Sequence, residues 1–316
     1  MTPAAAVPPA HEPVLLDEVV DLASRGPHRV VLDCTVGLGG HAQALLERLP
    51  DIETYVGIDR DPEALEQARA RLSRFGDRLR TRQTTFDRSI DALDELGIGA
   101  VQFVLVDLGV SSFQLETGRR GFSFRLQGPL DMRMDPRDPD TAADLIRRLG
   151  PDDLARLLRD RGEVECAERL ARALHDQRLT LRTTTDLARL VAEATPARVK
   201  ARLKIHPATK VFMALRSAVN QEPEILERAL PRLIDRLAPG GRIVVISFHS
   251  LEDRIAKRIF RGAATGCVCP PVFPVCNCGK RPTLGLVDRR PIKPSDPEVA
   301  GNPRSRSARM RAAIRL

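Results

Sequence analysis

The chain has 316 residues, 42% hydrophobic and 29% charged, with a formal net charge of +8, six cysteines and no tryptophan. That length allows one large or two modest domains with a substantial core, and the lack of any run of 18 apolar residues excludes a membrane-spanning helix. Aromatic residues make up 3% of the chain, so a nucleic-acid surface built on stacked rings has few rings to use.

Residues 1–10 are rich in Ala and Pro without a charged leader pattern, so a loose tail is expected rather than a secretory signal. The cysteines are then free thiols or metal ligands rather than disulfides. Residues 11–20 read as an amphipathic opening helix. Val30, Val31 and Leu32 read as a buried strand that Asp33 closes; Gly37, Gly39 and Gly40 follow, and residues 42–47 read as a helix. A strand, a glycine turn and a helix bring backbone close to a ligand and point helix N–H groups at it. A dinucleotide site would show G-x-G-x-x-G, and the spacing of Gly37, Gly39 and Gly40 differs. The turn carries no Lys or Arg, and an acid ends the strand. An acidic turn without phosphate-binding side chains suits a cationic ligand. S-adenosylmethionine, with a sulfonium, an ammonium and one carboxylate for the helix N-terminus, is such a ligand. A plain glycine turn is the alternative.

Residues 54–59 read as a second buried strand ending in Asp59, 22 positions after Gly37. An acid there reaches ribose hydroxyls; otherwise it caps the helix that Pro62 starts and that runs through Leu72. Residues 80–84 are a weak third strand. Phe86 then offers an apolar wall for a base, or simply joins the core. Residues 101–107 are the strongest strand of the chain, ending in Asp107, with Leu108, Gly109, Val110, Ser111 and Ser112 behind it. Open α/β sheets bind ligands at such carboxyl ends.

The pattern then changes. Residues 119–124 and 128–136 are loop-like, and residues 141–204 carry helical apolar spacing without a strand signal. This reads as an inserted helical domain, with a basic run of Arg198, Lys200, Arg202, Lys204, His206 and Lys210 near its exit. That run either lines an RNA groove or is a solvated face. The α/β pattern resumes with helices at 211–220 and 224–237, a turn at 239–241, a strand at 242–248 and a helix opened by His249. Residues 307–316 read as a final edge strand. Residues 281–316 hold nine Lys or Arg against three acids, a basic arm suited to a polyanion. Cys267, Cys269, Cys276 and Cys278 form two C-x-C pairs. They suit a zinc site or a reduced, loop-stiffening cluster; zinc sites more often use C-x-x-C, and no metal is assigned.

Taken together, PVLLDE at 13–18, GLGGH at 37–41, DLGVSS at 107–112, RGFSF at 120–124, GPLDMRMD at 128–135, SFHSLED at 247–253 and NPRSRS at 302–307 closely resemble the ribosomal RNA small subunit methyltransferase H family, over nearly the whole chain. The resemblance implies a bacterial cytoplasmic enzyme that moves a methyl group from S-adenosylmethionine to N4 of a cytidine in the decoding region (P site) of 16S rRNA. Its partners are then 16S rRNA and the small subunit, with no DNA and no membrane. It implies an α/β fold, a Rossmann-like class I methyltransferase domain of residues 1–115 and 209–316, with an all-helical substrate-recognition domain inserted at 116–208. By motif, the cofactor contacts carry over to Gly39, Gly40, His41, Asp59, Phe86, Asp107 and Gln114. DNA amino-methyltransferases place an Asp/Asn/Ser-Pro-Pro-aromatic loop after the fourth strand. This chain has Asp107, Leu108, Gly109 and Val110 there, so the acceptor for the N4 hydrogens is open among Asp107, Ser111, Asn220 and His249. A non-catalytic RNA-binding ribosome-assembly factor and a nicotinamide dehydrogenase are the rival classes.

Overall fold

The computed structural model describes residues 13–270, 275 and 277–316. The chain divides into two compact units, the first made of the residues up to Gly109 together with Ile225–Leu316, the second of Val110–Glu224.

The first unit alternates helices and strands: α1 Leu16–Ser24, β1 Val30–Asp33, α2 Gly40–Arg48, β2 Thr54–Asp59, α3 Pro62–Leu72, β3 Leu79–Gln83, α4 Ser89–Glu95 and β4 Val101–Asp107. The second holds α5 Ser112–Glu116, α6 Ala142–Arg148, α7 Pro151–Gly162, α8 Ala167–Asp176, α9 Thr184–Ala194, α10 Ala197–Lys200 and α11 Ala208–Val219. The boundary back to the first unit falls in the opening turn of α12 Glu222–Arg236, and β5 Leu237–Ser247, α13 Ser250–Ala264, β6 Leu284–Leu286, α14 Asp296–Gly301 and β7 Arg309–Arg315 complete it.

The strands form one seven-stranded sheet in the order β3-β2-β1-β4-β5-β7-β6. The neighbours from β3 to β5 run parallel, and β7 is antiparallel to both β5 and β6. Strand order reverses between β1 and β4, the switch point at which doubly wound sheets open a crevice at their carboxyl ends. Alternate side chains separate two cores. Val31, Tyr55, Phe103, Leu105, Val244 and Ile246 pack with α1, α2 and α3 on one face. Leu32, Val56, Ile58, Val104, Val106 and Val245 pack with α4, α12 and α13 on the other. Burial on both faces explains why these strands read as continuous apolar runs.

Two expectations change. The final strand is not an edge: β7 lies between β5 and β6, with Val244 opposite Ala312 and Leu286 opposite Ala313. The edge is the three-residue β6. The turn at 239–241 is absorbed into β5, where the register with β4 jumps from Val101–Leu237 to Phe103–Arg242.

In the second unit, α6 to α9 and α11 bury Leu145, Leu154, Leu158, Leu170, Leu187, Val211 and Phe212 in one core. Helix α11, which the sequence pattern grouped with the sheet, buries its apolar face here. The loop over residues 128–135 is clamped from two sides. Asn220 donates from Nδ2 to Met132 O (2.8 Å) and accepts the Met134 N–H at Oδ1 (2.8 Å). The buried Arg120 guanidinium donates to Arg133 O (3.1 Å) and Met134 O (2.7 Å). Between them Met132 sits at φ 63, a backbone region that a non-glycine residue holds only when its surroundings impose it.

Candidate functional site

The carboxyl ends of β1, β2 and β4 each present an acid: Asp33, Asp59 and Asp107. Asp33 is 1% exposed. It accepts the Thr35 N–H at Oδ1 (3.0 Å) and the Tyr55 hydroxyl at Oδ2 (2.7 Å). Burial pushes its carboxyl up to about 7, against the lowering effect of those hydrogen bonds. Tyr55 is the only tyrosine in the chain; it lies opposite Val31, two residues before Asp33.

Asp59 is held by backbone alone. Gly37 N–H reaches Oδ2 (2.8 Å) and Asp61 N–H reaches Oδ1 (2.9 Å). Each oxygen keeps a lone pair, so two further donors fit. Burial raises this carboxyl to about 6. The bond from Gly37 ties the glycine turn to the end of β2, and Val36 N–H adds a second tie to Ile58 O (2.9 Å).

The turn demands its glycines. Gly39 lies at φ 80, and a Cβ on Gly40 would stand 2.6 Å from Pro13 Cγ. Helix α2 starts at Gly40 without a side-chain cap on Gly39, and its first turn carries no acid, so its leading N–H groups are left for water or a ligand. His41 is 7% exposed. One ring nitrogen, Nε2, pairs with Val14 O (3.0 Å), and Nδ1 lies 3.7 Å from Asp107 Oδ2.

Asp107 is the unusual group. Its N–H donates to Thr35 Oγ1 (2.7 Å), yet its Oδ1 is buried with no hydrogen-bond partner among the described residues. Burial, then the charges of Asp33 and Glu252, raise its carboxyl well above the usual range. An acceptor buried this way is costly unless a donor reaches it. Glu252 is itself buried at the mouth of β5, accepting the Phe248 and His249 N–H groups at Oε2 (3.1 Å each).

Five of the seven predicted cofactor residues, Gly39, Gly40, His41, Asp59 and Asp107, thus fall at the carboxyl end of β1, β2 and β4. Phe86 opens the 3-10 turn Phe86–Arg88 after β3 and packs against the core face that holds Val56 and Ile58. Gln114 belongs to the second unit. There it completes a capping box for α5, accepting the Ser111 N–H at Oε1 (3.0 Å) while its own N–H donates to Ser111 Oγ (3.2 Å).

Three of the four acceptor candidates are occupied by structure, Ser111 as the α5 cap just described. Asn220 is a buried clamp on the 128–135 loop, its amide nitrogen donating to Met132 O and Arg216 O. His249 caps α13, with Nδ1 accepting the Leu251 N–H (3.3 Å), which puts the proton of a neutral ring on Nε2 and leaves no free acceptor there. Sequence reasoning missed Thr35, Tyr55 and Glu252. A lone tyrosine in an apolar strand was a signal; Thr35 and Glu252 become meaningful only once the strand ends are brought together.

The basic stretches also resolve into different kinds. Arg198, Lys200, Arg202 and Lys204 are exposed and make no ion pair among the described residues. In the basic C-terminal stretch, the arginines of β7 are paired within the fold. Arg311 binds Asp253 through Nε (2.6 Å) and Nη2 (3.2 Å), Arg309 reaches the same carboxylate (3.2 Å), and Arg315 lies 3.9 Å from Asp235. Arg289, Arg290 and Lys293 stay exposed.

The strand ends at the switch point of this doubly wound sheet thus carry three acids beside a glycine turn that has no Lys or Arg. Ribosomal RNA small subunit methyltransferase H of Syntrophotalea carbinolica is 48% identical over 309 residues, 97% of this chain and 98% of that protein. The protein of the same name from Oleidesulfovibrio alaskensis is 46% identical over 310 residues, 97% and 95% of the two chains. Among solved structures, an rRNA methylase from Streptococcus thermophilus aligns over 99% of both chains at 10% identity and a TM-score of 0.42, a likeness that adds nothing to the strand order described above. The MraW methylase family model matches residues 9–316, and the chain belongs to that family.

Proposed function

We propose that the chain transfers a methyl group from S-adenosyl-L-methionine to the N4 amino group of a cytidine in the decoding region of 16S rRNA, at the P site. The name of its relatives supports rRNA of the small subunit as the substrate class. The observation that carries the reading in this chain is the buried, unpartnered Oδ1 of Asp107 beside a turn without a Lys or Arg. A cluster of acids with raised proton affinity is relieved by a bound cation and worsened by a bound pyrophosphate. Bound there, S-adenosyl-L-methionine supplies an electrophilic methyl on a sulfonium.

This chain's residues supply the rest. Asp59 directs its two remaining lone pairs to the ribose hydroxyls. Gly39, Gly40 and His41 bring backbone against the donor, and Phe86 walls the adenine. Gln114 orders the start of α5 through its capping box with Ser111. Cytosine N4 is a weak nucleophile because its lone pair is delocalised into the ring. Alignment of N4, methyl and sulfur supplies much of the rate, and an acceptor for an N4 hydrogen supplies more. With Ser111 Oγ capping α5 and Asn220 and His249 occupied, that role falls to Asp107. N4 forms its bond to carbon as the carbon–sulfur bond breaks, and N4 gives up a proton. Asp107 is ionised beside the positive charge and regains its high proton affinity once that charge is discharged, so it is suited to take this proton.

The test is mass spectrometry of nucleosides. Small subunits lacking the modification, incubated with the chain and the methyl donor, should gain N4-methylcytidine in 16S rRNA. Methylation of a ring carbon, of another base, or of no nucleoside at all would overturn the assignment. Asp107→Asn should lower the rate about a hundredfold or more, with folding retained by circular dichroism.

A further inference from the structure

Between α13 and β6 the chain makes an excursion whose stem is pinned by Thr283 N–H donating to Ala263 O (2.8 Å). It carries Cys267, Cys269 and Cys278, which methyl transfer leaves without a role. Their three Sγ atoms all lie within 4.8 Å of one another, and those of Cys267 and Cys278 are 3.8 Å apart. Zinc–sulfur bonds of about 2.3 Å meeting at the tetrahedral angle put two sulfurs about 3.8 Å apart. A disulfide would bring them to about 2.05 Å.

The backbone is turned toward the sulfurs. Val268 N–H donates to Cys278 Sγ (3.4 Å) and Cys269 N–H donates to Cys267 Sγ (3.4 Å). Such bonds disperse the negative charge of a thiolate, which a metal ligand carries and an ordinary thiol does not. Exposure argues in the same direction. Cys34 is buried as a small hydrophobe in the sheet core, whereas Cys267 and Cys278 are exposed and Cys269 half-buried, so this trio is not apolar packing.

We propose that Cys267, Cys269 and Cys278 bind one Zn²⁺ as thiolates, in a structural site that closes the excursion between α13 and β6. Soft sulfur donors favour zinc over magnesium or calcium. The metal would join residues 11 positions apart, from Cys267 to Cys278. Cys276 lies outside the described residues; the three thiolates leave the fourth tetrahedral position to water or another donor. The site is separate from the acids at the ends of β1, β2 and β4, so it does not depend on the methyl-transfer reading.

The test uses the full, untagged chain purified under reducing conditions without chelator. Elemental analysis should find about one zinc per chain. Cys267→Ser, Cys269→Ser and Cys278→Ser should each lower it below about a tenth, while Cys166→Ser, in the helical unit, leaves it unchanged. Because a serine variant can misfold, the wild-type chain is also stripped of metal and titrated with Co²⁺. Intense tetrahedral d–d bands with thiolate charge-transfer absorption are expected, bleached by added zinc. Wild-type chain with no zinc and no cobalt bands would overturn the site. So would an intact mass showing the two-hydrogen loss of a disulfide within this trio.

Discussion

Burial raises the proton affinity of Asp33 and Asp59 above that in an unfolded chain. Their folded values, about 7 and about 6, stand above the ordinary 3.8. The folded state therefore binds more protons between these limits, and the stability this confers is fully present below about pH 4 and lost as pH rises through 6 and 7. Denaturant midpoints of the free chain should fall across that window. A cationic ligand prefers the ionised acids, so its affinity should rise over the same window and then level off. Calorimetry in two buffers of different ionisation enthalpy should show proton release on binding of the methyl donor; no difference between buffers at pH 6 would contradict the acid cluster as its site. Asp59→Ala should weaken that binding tenfold or more, as charge-assisted bonds are removed. The same change removes the acceptor for Gly37 and Asp61, so Asp59→Asn, which keeps one acceptor oxygen, is its control. Tyr55→Phe should cost about 1 kcal/mol and move the titration of Asp33 further upward, read by NMR of the labelled carboxyl.

The elements differ in how openly the sequence announces them. β1, β2, β4 and most of β5 are buried on both faces, and their apolar runs say so directly. β6 is Leu-Gly-Leu, three residues with no pattern to detect. β7 misleads for a physical reason: Arg309 and Arg311 alternate with apolar residues and suggest a solvated edge. Their charges are instead met by Asp253 of α13, which is 7% exposed. Its carboxyl is raised by burial but held below the ordinary value overall by hydrogen bonds from Arg311 and Arg309. An interior strand thus keeps its arginines because a helix packed on the sheet supplies the counter-charge. Asp253→Ala leaves the half-buried Arg311 without that partner and should cost up to about 3 kcal/mol, measured by urea unfolding; Asp253→Asn should cost less. The glycine turn was legible as a turn, since only glycine fits Gly39 and Gly40. The free oxygen of Asp107 was not, because it depends on what β1 and β5 bring alongside β4.

For the whole molecule, charge is less a tail than a distribution. Removing residues 302–316 would withdraw an interior strand and should unfold the first unit, so truncation cannot isolate an RNA contact. Replacing Arg289, Arg290 and Lys293 by alanine spares the ladder. If these side chains neutralise phosphates, rRNA affinity should fall and the slope of its logarithm against the logarithm of salt should flatten by roughly 0.7–0.9 for each phosphate no longer neutralised. Filter binding from low to moderate salt measures it, and an unchanged slope would remove this surface from the RNA interface.

Because β7 takes an inner place, the sheet ends in two poor templates for another chain. At one border β3 sets Arg80 and Arg82 on the open ladder; at the other, β6 is too short to hold a recruited strand. Charge and brevity are two of the means by which proteins keep sheets from growing into aggregates. Arg80→Val with Arg82→Val should leave the fold intact yet make concentrated solutions scatter light on warming, while the parent chain stays clear.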